Sequence, residues 1–415
     1  MRVALFLPNL VGGGAERVFA LLAEGLAARG IDTEVVLAHA EGPHLAAVQA
    51  VVPVVDLHVG RTRHSLLPLA RYLRRRRPDV LVTALDHANI VAVWARKLAR
   101  VETAVVITHH LAVAGLPTSS SSPKAKLWSG LRARFYPWAD AIVAVSRDTG
   151  VDLARALGVP RERVDVILNP VITTDLVALG AVALEHPWFA AGQPPVLIGI
   201  GRLERQKDFP TLIRAYAHLR QQRPARLMIL GEGTDRHELE ALVRELGVTD
   251  DVALPGFVNN PYAYLARAAA FVLSSIYEGL PTVVIEALAL GTPVVSTDCR
   301  TGPREILEDG RLGRLVPVQD PQALADAIAA TLDEPRAPAR RAPPGLPRHR
   351  GRRQLRPPVR ACPSRPSRLR SHNGPERMNR RSDISSAGPR ATRREPWRPQ
   401  GQTASSRGAR SASRR

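Results

Sequence analysis

The sequence predicts an α/β protein built from two Rossmann-like, doubly wound domains that face each other across a cleft. Short apolar runs alternate with helical stretches in two successive series, and a linker containing Pro and Gly at residues 186–195 separates them. This alternation is typical of parallel sheets covered by helices on both faces. A length of 415 residues is enough for two domains, each with its own core.

The first series defines a predicted domain at residues 1–185. A strand at 2–7 leads through a glycine turn into a helix at 15–28, which ends before Gly30. Further strands are predicted at 35–38, 80–83, 104–108, 141–145 and 164–168. Helical stretches between these strands favour a parallel sheet.

The second series defines a predicted domain at residues 186–334. Its strands are predicted at 196–200, 226–230, 252–254, 270–274 and 293–296. Its helices are expected to begin near Asp208, Asp235, Pro261 and Pro281. Because open sheets of this kind bind ligands beyond the carboxyl ends of their strands, we expect the functional site in the cleft between the two domains.

Residues 335–415 form a tail of different composition. It holds 23 Arg, no Lys and 3 acidic residues, whereas residues 1–334 hold 35 basic and 35 acidic residues, so the net charge of +20 lies entirely in the tail. A segment rich in Pro, Ser and Gly with few large apolar side chains is predicted to be disordered.

Two hypotheses account for this tail. It is a polybasic arm for anionic membrane or nucleic acid, or it is the product of a shifted reading frame that begins near residues 336–341. The second hypothesis follows from composition, because Arg without Lys, together with Pro, Ser and Ala, is what GC-rich codons give out of frame. Resequencing that finds an intact frame would remove it.

Composition excludes several other classes of protein. Cys299 and Cys362 are the only cysteines, one in each compositional region, so we expect no disulfide framework. No apolar run approaches the ~18 residues of a membrane span. The opening residues are interpreted as a strand and not as a signal peptide. We therefore expect a cytoplasmic protein that is at most peripheral to the inner face of the plasma membrane, and we expect no nucleic acid as its partner.

The segment EGLPTVVIE at residues 278–286 is the most informative motif. It places Glu278 and Glu286 eight positions apart around a turn that opens a helix. The first backbone N–H groups of a helix lack internal partners and attract anions, so a phosphate fits there, with a carboxylate on either side for sugar hydroxyls. A nucleotide sugar has this layout. The alternative is an ordinary surface helix, since many begin with Gly, Leu and Pro.

Other strand-end turns are predicted to border the same cleft. Gly13 and Gly14 allow close approach of a phosphate or sugar, but Arg17 breaks the dinucleotide pattern G-x-G-x-x-G, which disfavours a nicotinamide dehydrogenase. Arg202 and Lys207 place two long cations after a strand, where they would offset a diphosphate. A solvated basic loop is the alternative for these two residues.

Two histidines and one basic helix complete the candidate features. His109 and His110 end a predicted strand at a switch point, where either one is available for chemistry. No spacing of His, Cys and Asp indicates a metal site. Residues 71–77, RYLRRRR, continue a helix with an apolar stripe, which predicts either a surface for anionic lipid headgroups or a solvated face.

Taken together, these segments resemble a known family. The resemblance rests on GRLERQKDFPTLIRAYA, LMILGEG, LPGFVNNPY, FVLSSIYEGLPTVVIEALALGTPVVSTDC, GPREILEDG with RLVP, and GGGAERV near the start. They are similar to the retaining family-four glycosyltransferases of the GT-B fold, the glycosyl transferases group 1. The similarity spans residues 1–332 and is dense between residues 201 and 317.

The resemblance implies a role for each matching position. Arg202 and Lys207 would neutralise the donor diphosphate, Glu286 would hold the ribose hydroxyls and Glu278 would bind the transferred sugar. Backbone N–H groups of Gly279, Leu280 and Thr282 would contact the sugar and phosphate. Gly13 and Gly14 would approach from the first domain, and His109 would lie near the reacting sugar or acceptor. Members of the family usually end with a helix that crosses back over the first domain. The sequence after Leu332, rich in Arg, Pro and Ser, does not resemble that helix.

The implied activity is retaining transfer of a sugar to a lipid-linked or glycan acceptor in cell-envelope or exopolysaccharide synthesis. The donor is expected to be a UDP- or GDP-sugar, with no metal and no other cofactor. Two alternatives stay open. A nucleotide-sugar epimerase on the same fold predicts product without an acceptor, and a non-catalytic binder acting through the basic tail predicts salt-dependent binding that is lost with the tail.

Overall fold

The computed structural model describes residues 1–11, 13–111, 123–173 and 175–334, and it confirms the predicted α/β class. A seven-stranded sheet and a six-stranded sheet follow each other along the chain. Gly12 and the tail at 335–415 lie outside the described residues. The disorder of the tail and both hypotheses about its origin therefore stay predictions.

The first sheet has the strand order β3-β2-β1-β4-β5-β6-β7, and its paired strands are parallel. Its strands are β1 Arg2–Leu7, β2 Asp32–Leu37, β3 Val54–Asp56, β4 Val80–Ala84, β5 Ala104–His109, β6 Ala141–Ala144 and β7 Val164–Val166. The helices that follow in this half are α1 Gly14–Ala27, α2 Leu45–Gln49, α3 Leu66–Arg76, α4 Asp86–Ala99, α5 Pro123–Phe135, α6 Arg147–Leu157 and α7 Leu176–Ala181.

The second sheet has the order β10-β9-β8-β11-β12-β13 and is also parallel. Its strands are β8 Val196–Ile200, β9 Arg226–Leu230, β10 Val252–Gly256, β11 Ala270–Leu273, β12 Val294–Thr297 and β13 Arg314–Val316. Its helices are α8 Phe209–Gln222, α9 Arg236–Glu245, α10 Pro261–Arg267, α11 Thr282–Ala289, α12 Pro303–Ile306 and α13 Pro321–Asp333.

Short 3₁₀ helices join some of these elements, at Thr62–Ser65, Tyr136–Trp138, Arg161–Arg163, Pro187–Phe189 and Arg205–Lys207. Each sheet has an apolar cluster on either face, which explains why most of its strands are apolar runs. The exceptions in the first sheet are β2, which begins Asp-Thr-Glu, and β7, which has Asp165 at its centre. β3 and β13 were not predicted. Each has three residues, and most of these are only half-buried, so neither gives a clear apolar signal.

We call the seven-stranded sheet with its helices the first lobe and the six-stranded sheet with its helices the second lobe. Helix α7 packs against α10 of the second lobe, and Leu176 is buried in the second lobe's apolar cluster. The chain therefore begins to pack against the second lobe before residue 176, whereas the predicted domain boundary follows residue 185. The reason is that α7 buries its apolar side chains on a surface that lies far ahead in the sequence.

Direct contacts join the two lobes. The guanidinium of Arg300 forms two hydrogen bonds, of 2.8 and 2.7 Å, with the carboxylate of Asp152 on α6. The hydroxyl of Ser146, which caps α6, lies 3.1 Å from the carbonyl oxygen of Gly279. These contacts hold the start of α6 against the loop that carries the EGLPTVVIE motif.

Within the described ranges, no helix combines the length and apolar character that crossing a membrane requires.

Candidate active site

Glu278 lies at the centre of a buried polar cluster in the loop after β11. Its residue exposure is 6%. One carboxylate oxygen, Oε1, lies 2.6 Å from Nζ of Lys207 and accepts a 2.6 Å hydrogen bond from the hydroxyl of Ser275. The other oxygen, Oε2, lies 3.4 Å from the amide nitrogen of Gln206. The structure thus brings Glu278 and Lys207 into direct contact, although they are 71 positions apart.

Backbone contacts fix this pair in place. The hydroxyl of Ser274 donates to the carbonyl of Lys207 at 2.7 Å, and the hydroxyl of Thr301 donates to the carbonyl of Glu278. Thr301, which contacts Glu278, and Asp208, which follows Lys207 in the sequence, have φ of +67° and +47°. Non-glycine residues in this left-handed region carry strain that surrounding contacts must offset, as is common at functional sites.

Gly279 is required by the contact between the lobes. A Cβ atom at this position would lie 2.0 Å from the carbonyl oxygen of His110, so a larger residue would push the first lobe away. Leu280 is buried, and helix α11 begins at Thr282 without a side-chain cap. The start of α11 therefore faces the junction of the lobes with backbone groups that an anion can bind.

Glu286 lies one turn further along α11 and is 1% exposed. Its Oε1 lies 2.5 Å from a guanidinium nitrogen of Arg17, which belongs to α1 of the first lobe. Burial raises the pKa of Glu286, and Arg17 opposes that rise. The carboxylate predicted to hold the ribose is therefore paired across the cleft with a cation that sequence reasoning did not assign to the site.

Arg202 follows β8 and projects into solvent. Its side chain is 55% exposed and its nearest recorded partner is Glu204, at 3.2 Å. Gly13 caps α1, and a Cβ there would meet the carboxylate of Glu16, whereas a Cβ at Gly14 would meet nothing within 4 Å. The Glu16 carboxylate is the free end of a flexible side chain and can move aside, so the fold requires glycine at neither position. Burial raises the pKa of Glu16, and the charge of Arg202 opposes that rise.

The two histidines have different environments. His110 follows β5, and its ring lies 2.9 Å from the hydroxyl of Thr108 and packs near Phe19. Burial, together with the neighbouring charge of His109, lowers the pKa of His110 to about 3. His110 is therefore neutral at ordinary pH and is held by its own strand.

His109 is the histidine with an unused ring nitrogen. Its Nδ1 lies 3.4 Å from the carboxylate of Asp86, and its side chain is 6% exposed. Among the described residues, its Nε2 has no hydrogen-bond partner although it is buried. Asp86 also accepts hydrogen bonds of 2.7 Å from the Tyr136 hydroxyl and from Arg132. These partners keep the pKa of Asp86 well below its usual range, against burial, which would raise it.

Asp86, Arg132, Tyr136 and Arg17 are site residues that sequence reasoning missed. For Asp86 a signal existed, because it opens α4 directly after β4, at the point where the strand order reverses. Leu85 before it has φ of +73°, another strained position at the cleft. Arg132 and Tyr136 come from α5 and the turn after it, and no local pattern announces their contact with Asp86.

In the part of the chain that the structure describes, no group of three or more His, Cys, Asp or Glu side chains is placed to hold a metal ion. Metal independence itself stays a prediction.

Solved structures with the same architecture define the class. A crystal structure of HepE from Anabaena in complex with UDP and glucose matches with a TM-score of 0.65 and 21% identity, over 80% of this chain and 90% of that one. WaaG, a glycosyltransferase involved in lipopolysaccharide biosynthesis, matches with a TM-score of 0.62 and 19% identity, over 80% and 90%. The two lobes and their cleft are those of the GT-B fold.

The family follows from the sequence matches. The family model described as Glycosyltransferase Family 4 matches residues 12–175, and the one described as Glycosyl transferases group 1 matches residues 185–343. The chain therefore carries a family 4 glycosyltransferase domain followed by a group 1 glycosyltransferase domain.

Curated relatives agree with this assignment. N-acetylgalactosamine-N,N'-diacetylbacillosaminyl-diphospho-undecaprenol 4-alpha-N-acetylgalactosaminyltransferase of Campylobacter jejuni is 28% identical over 80% of this chain and 90% of its own length. The lipopolysaccharide core biosynthesis glycosyltransferase LpsE of Rhizobium meliloti is 29% identical over 76% and 84%. The transferase prediction is confirmed, whereas the donor and the stereochemical outcome are not decided by these matches.

Proposed function

We propose that this protein transfers a sugar from a UDP- or GDP-sugar to a lipid-linked or polysaccharide acceptor, with retention of anomeric configuration, in cell-envelope or exopolysaccharide synthesis. The observation that carries the donor assignment is the pair formed by the half-buried Lys207 and the buried Glu278, next to the uncapped start of α11. It combines a cation for phosphate with a carboxylate for sugar hydroxyls. Names of relatives that act on undecaprenol-linked glycans and lipopolysaccharide support the acceptor class.

The phosphate side of the reaction follows from charge. Breaking the anomeric bond leaves negative charge on the nucleoside diphosphate, and donors fixed in a dry cleft stabilise that charge without reorganising. The ammonium of Lys207 has three N–H donors and uses one on Glu278, so it can bind a phosphate oxygen without leaving its partner. Arg202, which follows β8 and is exposed, supplies the second cation.

The sugar side uses Glu278 and His109. Among the described residues, Oε2 of Glu278 has one long contact, with Gln206, so it is the oxygen left to accept a hydrogen bond from a sugar hydroxyl. Asp86 holds the Nδ1 side of His109, which leaves Nε2 for a hydroxyl of the sugar or the acceptor. Retention is proposed to proceed by attack on the face that the leaving group departs from, with a phosphate oxygen taking the acceptor proton.

A panel of UDP-, GDP- and ADP-sugars tests this function. Incubated with the full chain and an undecaprenyl-diphosphate-linked glycan acceptor, one donor is expected to give a transferred product in which the donor's anomeric configuration is kept. Since two cations offset the diphosphate, added EDTA should leave the rate unchanged. Mass spectrometry and NMR of the purified product measure both outcomes.

Reactions without acceptor serve as the control. Conversion of the donor to an isomeric sugar in the absence of acceptor would support the epimerase alternative instead. Neither transfer nor donor hydrolysis with any donor, from protein that melts cooperatively, would count decisively against the proposal.

We also propose that the first lobe contacts anionic membrane. Helix α3 packs Leu69, Tyr72 and Leu73 into the core, so these apolar side chains are not available to a bilayer. What remains outside is a basic ridge that includes Arg71 and Arg75, for which no ion pair is recorded among the described residues. Exposed Leu67 on α3, together with Leu98 and Trp94 on the adjoining α4, adds apolar surface.

Charge reversal tests this contact. The double variant Arg71→Glu/Arg75→Glu should bind vesicles that contain phosphatidylglycerol more weakly, because each cation near such a surface contributes about 1 kcal/mol. Flotation is measured for the full chain and for a chain ended after Glu334, since the tail's arginines would bind the same vesicles. Arg214→Glu/Arg244→Glu, on exposed positions of α8 and α9, is the control. Equal flotation of both double variants in the shortened chain would contradict the contact.

If shortening alone abolishes salt-dependent binding, the tail, and not α3, is the basic element that meets anionic surfaces.

A further inference from the structure

Arg17 and Glu286 form an ion pair that spans the cleft. Arg17 lies in the first turn of α1, at the glycine turn of the first lobe, and Glu286 lies on α11 of the second lobe. Their side chains are 2.5 Å apart, with exposures of 27% and 1%. The guanidinium carbon of Arg17 also lies 5.3 Å from the ring centre of Tyr262, so the whole side chain reaches into the second lobe.

The pair is not needed to join the lobes. Asp152 and Arg300 connect them with two hydrogen bonds, and Ser146 contacts the Gly279 loop. In contrast to those contacts, the Arg17 pair occupies a carboxylate that the proposed function assigns to the ribose. Donor and Arg17 therefore compete for the same group.

We infer that Arg17 exchanges partners during donor binding, leaving Glu286 as the ribose arrives and binding the nucleotide diphosphate instead. This inference rests on the proposed function. Ribose and diphosphate are separated by one methylene, so a guanidinium beside the ribose carboxylate has the phosphates within reach of its flexible side chain. Arginine's planar fork suits phosphate oxygens, which it binds in pairs.

Charge balance makes the exchange selective. A bare nucleoside can satisfy Glu286 with its hydroxyls, but it would leave the displaced guanidinium without an anion. A nucleoside diphosphate supplies both the hydroxyls and the negative charge, so each group that loses a partner gains another. Arg17 should therefore favour nucleoside diphosphates over nucleosides, which is a specificity role at the donor site.

Calorimetric binding of a nucleoside and its diphosphate, for the base that the wild-type full chain binds, tests the exchange. In Arg17→Gln the diphosphate should bind about 10- to 100-fold more weakly, the range for one charge-assisted hydrogen bond. The nucleoside should bind equally well or more tightly, because its competitor at Glu286 is gone. Arg17→Lys, which keeps the charge without the fork, should lie between wild type and Arg17→Gln.

Arg29→Gln is the matched control, since Arg29 follows the same helix and its side chain donates to the carbonyl of Gly25, away from Glu286. Equal weakening of nucleoside and diphosphate by Arg17→Gln would overturn the inference and leave Arg17 as a support for Glu286. Unchanged diphosphate binding would overturn it too. Arg202→Ala distinguishes a failure of the exchange from a failure of the proposed function. If Arg202→Ala weakens diphosphate binding while Arg17→Gln does not, the exchange is wrong and the proposed donor site is kept. If the wild-type protein binds no nucleoside diphosphate, both proposals are wrong.

Discussion

Replacing Lys207 with methionine is expected to lower kcat for sugar transfer by about 10²–10³-fold, the loss typical of removing one fixed donor that stabilises transition-state charge. The variant should also unfold more easily. Its partner Glu278 is nearly buried and would lose the cation 2.6 Å away, and breaking a buried pair from one side costs about 3–5 kcal/mol. Steady-state kinetics and denaturant unfolding measure the two effects separately.

The double variant Lys207→Met/Glu278→Gln is the control that separates folding from chemistry. Neither buried charge is then left alone, so most of the lost stability should return while activity stays low. A double variant that regains both stability and transfer would show that Lys207 serves the fold and not the reaction. Lys97→Ala, on the outer surface of α4 against Trp138, should leave kcat unchanged with a water-soluble acceptor.

Replacing Glu278 with glutamine is expected to reduce kcat by about 10- to 100-fold, because a charged acceptor for the transferred sugar is lost. The variant should change the affinity for the free nucleoside diphosphate and the affinity for the nucleotide sugar differently. The free nucleoside diphosphate carries no sugar, and Lys207 is released from its anionic partner, so affinity for the diphosphate should be kept or improved. Affinity for the complete nucleotide sugar should fall relative to that of the diphosphate.

Calorimetry with both ligands measures this ratio directly. Glu240→Gln, which alters a carboxylate on α9 paired with Arg236, should change neither affinity. Should Glu278→Gln weaken both ligands by the same factor, Glu278 acts by shaping the loop and not by touching the sugar. A structural role for Glu278 is the alternative that this ratio tests, because its carboxylate also accepts a hydrogen bond from Ser275 in the same loop.

Local pattern determined most of the fold. The strands from β1 to β12, apart from β3, lie at or next to the predicted places, although β2 begins at Asp32 and not at residue 35. Helices α8 to α11 begin within one residue of the predicted starts. This works because a strand buried on both faces must be apolar throughout, and because Pro and polar caps stop or start helices whatever lies around them. The same logic placed the candidate residues at the carboxyl ends of strands.

The partners of those residues could not be predicted in the same way. Arg17 pairs with Glu286 across 269 positions, and Asp86 collects contacts from β5, α5 and the turn that follows. The periodicity of apolar residues gives no information about contacts between residues so far apart in the sequence. The sequence left His109 and His110 open as alternatives, and their hydrogen bonds separate them. The His110 ring is held by Thr108 of its own strand, whereas the buried Nε2 of His109 has no partner among the described residues.

By itself, the sequence determined the class, the family resemblance, the charge of the tail and the chemical types at the cleft. Only the tertiary structure decided which charged side chains of the site pair with each other, as Arg17 does with Glu286 and Lys207 with Glu278. It also decided that the apolar side of α3 packs into the core. The physical reason is that side-chain periodicity is a property of neighbouring residues, whereas burial and ion pairing depend on how two lobes pack against each other.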